Sequence, residues 1–186
     1  AVTKSFDQFK DHVDRVADTI GSEKSRIQRL FIGSGNSLGV DTGLLLQCLG
    51  YATDVFKPEK ISLYGRTNSI LQKSGDELKK LKEAGLSLVY WGLESGSDEI
   101  LDYIRKDCTR DDMIAASKKL AAVGIEVSAM VMPGVGGLKF SQQHVEGTQE
   151  LLRNMDIKYL TLLSINPSES SLYERNMQSA VDNRHL

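Results

Sequence analysis

Leu88-Val89-Tyr90-Trp91-Gly92-Leu93-Glu94-Ser95-Gly96-Ser97-Asp98-Glu99-Ile100-Leu101 is the stretch that decides how this chain folds. Its first half is a buried strand that stops at a carboxylate and small hydroxyls; Gly96 lets the chain turn, and Ser97 or Asp98 can cap a new helix. Alternation puts Leu88, Tyr90, Gly92 and Glu94 on one face and Val89, Trp91 and Leu93 on the other. Glu94 then stands at the carboxyl end of a strand beside a glycine, where open α/β sheets and barrels hold their ligands.

The same grammar repeats on both sides of it. Upstream, the spacing of Phe6, Phe9, Val13, Val16 and Ile20 predicts a helix capped by Ser5 and stopped at Gly21. Leu30 to Ile32 is a short strand running into Gly33-Ser34-Gly35-Asn36-Ser37, and Asp41 or Thr42 opens a helix that ends before Pro58. Ile61 to Arg66 is the next strand, with Tyr64 and Arg66 on one face, and a helix from Ser74 to Ala84 stops at Gly85. Downstream, helices reach Lys106 and run from Arg110 to Val123. Ile125 to Met132 is a strand entering Pro133-Gly134-Val135-Gly136-Gly137, Ser141 caps a helix to Asn154, Tyr159 to Ile165 is the last strand, and a final helix begins near Ser170. Strict alternation in units of about thirty residues, the unit length of an eight-unit barrel of about 250 residues, predicts parallel strands joined by right-handed crossovers. With no linker or low-complexity tract, residues 1–186 read as one domain. It opens on a helix, with no strand before it.

Composition narrows the class. The 186 residues carry a net charge of -2, with 40% hydrophobic and 26% charged residues, as in a soluble globular protein. No apolar run approaches a membrane span, and the first residues do not read as a signal peptide; mild acidity leaves no nucleic-acid footprint. Cys48 and Cys108 lie far apart and suit a reducing cytoplasm better than a disulfide scaffold. No metal ligand set or nucleophile–base pair is evident, so catalytic residues stay unassigned. The chain begins at Ala1 rather than Met, as a processed or excised piece would.

Small and polar residues gather at the end of each strand: Gly33 to Asn36, Arg66 to Asn68, Glu94 to Ser97, Gly134 to Gly137, and Ser164 to Asn166. Several such clusters on one rim let backbone approach a ligand closely, here a small molecule with polar ends and a flat apolar part. Single clusters say less. Gly33 to Gly39 is one residue too long for the dinucleotide glycine run, and Asp54 falls inside a helix. Pro133 to Gly137 could cradle a phosphate but has no adjacent cation. His144, alone in a first helical turn, reads as a capping or packing residue.

The order Leu30-Phe31-Ile32-Gly33-Ser34-Gly35-Asn36, Leu63-Tyr64-Gly65-Arg66, Gly92-Leu93-Glu94-Ser95-Gly96 and Gly134-Val135-Gly136-Gly137 resembles the radical S-adenosylmethionine superfamily. The branch it resembles holds oxygen-independent coproporphyrinogen oxidase-like and Elongator-like iron–sulfur oxidoreductases. The resemblance runs from Ser5 to Tyr173 and implies a partial (β/α)6 barrel of TIM type, of which this chain supplies strands two to six. By position, Gly33, Ser34 and Gly35, with Asn36, resemble the segment that meets the methionyl amino group. Glu94 and Ser95 resemble the residues that hold the ribose hydroxyls, and Lys106 takes the place of the basic residue on the methionyl carboxylate. Met132, Gly134 and Gly136 resemble the segment packing the adenine; Arg66 and Tyr64 face inward toward cofactor or substrate.

The resemblance also implies cofactors. In the complete protein a 4Fe–4S cluster would reduce bound S-adenosylmethionine to a 5′-deoxyadenosyl radical that abstracts a substrate hydrogen. This sequence has Ser37 and Glu169-Ser170-Ser171 where the family often carries proline and Gly-Thr-Pro, and it lacks Cys-x-x-x-Cys-x-x-Cys. It therefore reads as a core truncated before its first strand and cluster loop, inactive alone. The cysteine triplet is expected upstream, ending within about fifteen residues of Ala1. The partners expected are a small-molecule substrate and, unless the helix from Ser5 to Ile20 covers the bare sheet edge at Leu30 to Gly33, a second copy of the chain, with neither nucleic acid nor membrane. Two alternatives stay open: a barrel enzyme for a phosphorylated metabolite, and a non-catalytic binding module.

Overall fold

A computed structural model describes residues 5–33 and 35–165. Its five strands are β1 (Arg29–Ile32), β2 (Lys60–Gly65), β3 (Leu86–Glu94), β4 (Glu126–Val131) and β5 (Tyr159–Leu162). They form one parallel sheet in the order β1-β2-β3-β4-β5. An order that never reverses sends every right-handed crossover over the same face. The helices therefore cover one side only, and the sheet curls as a segment of a barrel wall. No topological switch point forms, which removes the crevice a dinucleotide fold would use.

The helices start where the sequence says, and for local reasons. Helix α1 (Phe6–Ile20) begins at Ser5 and α4 (Gly75–Glu83) at Ser74; α6 (Arg110–Ala121) begins at Thr109. Each cap forms a reciprocal box with the residue three positions on, Gln8, Glu77 or Asp112. Such a cap is worth about 1 kcal/mol. Asp41 caps α2 (Thr42–Phe56) by accepting from the Leu44 amide. Lys57, in a left-handed conformation, ends that helix one residue before Pro58.

Three expectations shift. A short helix α3 (Thr67–Gln72) follows β2 where the sequence reading placed loop. The trailing helix α5 stops at Tyr103 rather than Lys106 (Asp98–Tyr103). Helix α7 (Ser141–Arg153) is preceded by Phe140 at the cap, and Ser141 is already its first helical residue, without a capping bond. The expected last helix near Ser170 lies outside the described residues.

The core lies between sheet and helices. Ile61, Leu63, Val89, Trp91, Leu93, Val127 and Ala129 point from the strands into Leu45, Leu49, Leu78, Leu81, Met113 and Leu120. Each such aliphatic side chain contributes about 1.5–3 kcal/mol on burial. Trp91 is fully buried and donates its indole N–H to Thr67 Oγ1 at 3.2 Å. A satellite cluster of Val13, Ala17 and Phe56 seats α1 on α2, with Leu30 of the edge strand against it. The opposite face carries Phe31, Tyr64 and Tyr90, whose rings meet edge-to-face at 4.8, 5.5 and 6.1 Å. No described helix is long and apolar enough to cross a membrane.

Candidate functional site

The carboxyl end of β3 breaks the sheet's regularity. Gly92 pairs with Met130 but Glu94 pairs with Val131, so β3 carries one residue more than β4 over this step. Such a bulge re-aims a side chain. The Ser95 amide then donates back to Leu93 O at 2.8 Å, about a Glu94 whose φ is +62°. A bond across two residues about a positive φ is the strained form of the γ-turn, and for a residue with a Cβ it costs about 1–3 kcal/mol. The sequence reading put this turn at Gly96; it falls at Glu94 itself.

Three contacts hold that conformation. Lys106 Nζ donates to Glu94 Oε1 at 2.9 Å and to Gly92 O at 2.7 Å. The Met132 amide donates to Glu94 O at 3.0 Å. The two charged side chains are about one-fifth exposed, 23% for Lys106 and 21% for Glu94. Gly92 is a requirement of this arrangement: a Cβ there would stand 2.3 Å from Glu94 Oε1.

Behind Glu94 the loop is clamped to α7. Ser95 is fully buried, its hydroxyl 3.0 Å from His144 Nδ1 and accepting from the Ser97 amide at 3.2 Å. The Gly96 amide donates to Thr148 Oγ1 at 3.1 Å. The backbones of Gly96 and Gly147 touch directly, with no room for a Cβ on either. Burial holds the His144 imidazole below its ordinary pKa, in keeping with a packing role. The sequence reading gave His144 no partner and missed Gly147 and Thr148, because a contact made 50 residues away leaves no local signal.

The remaining rim residues divide into open and engaged. Arg66 is exposed just before α3, its carbonyl accepting from the Ile70 amide and its guanidinium without a partner among the described residues, and Gly33 and Gly35 are exposed. Asn36 is tied to Ser69 through both of its amide atoms, at 2.8 and 3.1 Å. Met132 is half-buried beside Glu94, and Gly134 sits at φ +85°. Gly136 is buried with Ile100 and Phe140 at 2.8 Å from any added Cβ, so it serves packing. The Val135 and Gly137 amides donate to Met132 O and Gly134 O within their own turn, which removes them from a phosphate cradle. Ser34 lies outside the described residues. Lys106, Glu94, Gly92 and Met132 form one group; Ser95 is beneath it rather than on it.

This rim, on a singly wound parallel sheet, is matched by known proteins. The sequence profile of the radical SAM superfamily fits residues 4–152. The chain belongs to that superfamily. A curated relative, the heme chaperone HemW of Bacillus subtilis strain 168, is 22% identical over 154 residues, 82% of this chain and 40% of HemW. Among solved structures, Elp3 of the archaeon Methanocaldococcus infernus superposes with a TM-score of 0.65 at 15% identity, covering 94% of this chain and 45% of Elp3. The coproporphyrinogen III oxidase HemN of Escherichia coli gives 0.62 at 11%, covering 94% and 46%. These structures share the fold, and the chain spans less than half the length of each of these three. The partial barrel expected from the resemblance is thus the architecture found.

Radical SAM proteins in general use S-adenosylmethionine and a 4Fe–4S cluster, and the two fit this chain differently. Glu94 offers a carboxylate with Oε2 clear of Lys106, beside a glycine that leaves the face open, which suits the vicinal hydroxyls of a ribose. A cluster does not fit: the sequence has two cysteines, and no group of three metal-ligating side chains exists among the described residues. Cys48 is buried in α2 and Cys108 sits beside Thr67, and burial raises both thiols above their ordinary pKa.

Proposed function

We propose that this chain is the S-adenosylmethionine-binding part of a radical SAM oxidoreductase, whose cluster ligands belong to residues outside this sequence. The observation that carries the reading is Glu94, held in a strained turn at the strand end with its carboxylate fixed by Lys106. Strain of this kind persists where the surroundings over-determine it, and it concentrates at ligand sites.

Bound S-adenosylmethionine supplies the radical chemistry of the family. The residues of this chain bind and orient it. Glu94 accepts from the ribose hydroxyls through the oxygen that Lys106 leaves clear. Lys106 has three ammonium protons, two of them engaged by Glu94 and Gly92 O, and turns the third to the methionyl carboxylate. Exposed Gly33 and Gly35 present backbone to the amino group, and Met132 lies against the adenine, a polarizable side chain against a flat ring. The aromatic face below, Phe31, Tyr64 and Tyr90, shields the reacting end from water. The substrate is a small molecule that reaches this face.

Titration calorimetry with S-adenosylhomocysteine tests the reading without a cluster. Binding is expected, weakened tenfold or more by Glu94→Gln, since a charge-assisted hydrogen bond is worth about 1.5–3 kcal/mol. A chain that binds no adenosyl ligand, or a variant that binds as well as the parent, refutes the assignment.

A further inference from the structure

The open face of the sheet holds a second feature, toward the amino ends of the strands and away from the Glu94 rim. A cavity of about 430 Å³ lies there, within the size range of small-molecule sites. Its centre is one row across the sheet: Tyr90 of β3, Ser128 of β4 and Tyr159 of β5, paired in register. A small residue between two tyrosines makes a slot. Neighbouring strands lie about 4.8 Å apart, so the two tyrosines stand on backbones about 10 Å apart. A flat ring touching an aromatic face on each side needs about 7–8 Å. A saturated ring is thicker and fits less well.

The slot has a polar floor that no described residue satisfies. Ser128 is 3% exposed, yet its hydroxyl has no hydrogen-bond partner among the described residues, and its oxygen is not sealed from the cavity it lines. A hydroxyl that opens into the cavity without a protein partner is left to pair with solvent or with a ligand. Tyr90 is fixed by edge-to-face contacts with Phe31 and Tyr64, so its wall is preformed.

The charge at the cavity edge selects the ligand. Arg29 and Lys60 line it together with Glu126. Glu126 is paired to Lys158 at 3.3 Å and more loosely to Lys60 at 3.9 Å. With Lys158 answering the one carboxylate, Lys60 and the Arg29 guanidinium, which has no partner among the described residues, leave a surplus of positive charge.

We propose that this cavity is a separate binding site for a planar aromatic or conjugated carboxylate. Its ring enters between Tyr90 and Tyr159 over Ser128, and its carboxylate turns toward Lys60 and Arg29. The site lies about four residues, roughly 13 Å, below Glu94 along β3, and it does not depend on the cofactor reading of the rim.

The test is a titration of the isotope-labelled chain, followed by amide NMR, with three probes of similar size: benzoate, benzamide and cyclohexanecarboxylate. Benzoate is expected to shift the amides around Ser128 and Thr161 and to bind at least fivefold tighter than the neutral or the saturated probe. Arg29→Gln should weaken benzoate at least threefold, and Ser128→Leu, which fills the slot, should abolish the shifts. Tyr159→Ala, on a half-exposed edge residue, removes one wall with little risk to the fold and should lower affinity without erasing the charge preference. Three probes that bind alike, shifts centred on Glu94 and Lys106, or variants that titrate as the parent does would each overturn the proposal.

Discussion

Gly96→Ala is the sharpest test of how the Glu94 loop is held. The added Cβ would stand 2.3 Å from Gly147 O and 2.7 Å from Thr148 Cα, both backbone atoms of α7. Neither can swing aside as a side-chain tip could, so loop and helix must part by about 1 Å to reach ordinary contact near 3.5 Å. That separation would stretch the Gly96-to-Thr148 bond, now 3.1 Å, and the Ser95–His144 bond, now 3.0 Å, past useful range. Overpacking costs about 1–3 kcal/mol, and two lost hydrogen bonds add about 0.5–1.5 kcal/mol each. The sum is about 2–6 kcal/mol, a large part of a typical domain's stability. Urea unfolding should show this as a lower midpoint at constant slope. Gly147→Ala meets Gly96 O at 2.8 Å and should cost less. The double variant should cost less than the two single losses combined, since one parting relieves both clashes. A Gly96→Ala protein within 0.5 kcal/mol of the parent, its amide at position 96 still protected from exchange, would refute the backbone-to-backbone clamp.

Other outcomes follow from the same contacts. Lys106→Met removes the partner of Glu94 and both Nζ bonds, and should destabilise the chain by about 1–2 kcal/mol after allowance for partial exposure; a cycle with Glu94→Gln in urea should show coupling, and additive losses would sever the pair. Glu77 accepts from Thr42 Oγ1 and from the Ser74 amide, and its carboxyl is held down to about 2. Its stabilising contribution is therefore complete above the ordinary carboxylate value near 4.5 and is lost as pH falls toward 2. A carboxyl NMR titration should give that low midpoint, and Thr42→Val should raise it; a midpoint near 4.5 in the parent would remove the bond from the account. For His144, depressed by burial, the neutral ring is the folded form: its contribution is complete above about 6.5 and declines as pH falls below that value. His144→Gln should flatten the stability profile between pH 7 and 5, and an unchanged slope would discount its burial.

Much of the fold was legible because local rules and tertiary packing agree. Ser5, Ser74 and Thr109 cap helices in the chain and in the structure, since a cap is satisfied within four residues. The alternation of β3 was readable because one face meets helices and the other does not; a strand covered on both sides would have shown a continuous apolar run. The site was legible only in part. Glu94 and Met132 could be placed on one rim from strand ends, whereas Lys106, at the end of a helix, joined them only through the family resemblance. Ser95 could not be told from Glu94 by sequence, yet one is sealed under α7 and the other faces out. Helix α3 was missed because Thr67-Asn68-Ser69 has turn composition, and its helicity rests on tertiary contacts such as Ser69 with Asn36 and Thr67 under Trp91.

The departures from local rules converge on one residue. A bulge, a positive φ on a side-chain-bearing residue, a half-buried ion pair and two facing glycines all occur within a few residues of Glu94. A turn at Gly96 would have avoided the strain altogether, because glycine accepts that conformation freely. The chain instead uses Gly96 to admit α7, and α7 fixes Ser95 to Ser97, which leaves the turn to Glu94. The strain is then the consequence of anchoring both flanks, β3 on one side and α7 on the other. Its effect is to aim a carboxylate off the sheet at a defined angle, with Lys106 as its brace. Stability alone would favour relaxing the turn, whereas the ligand proposed above, gripped by its hydroxyls, would favour keeping it.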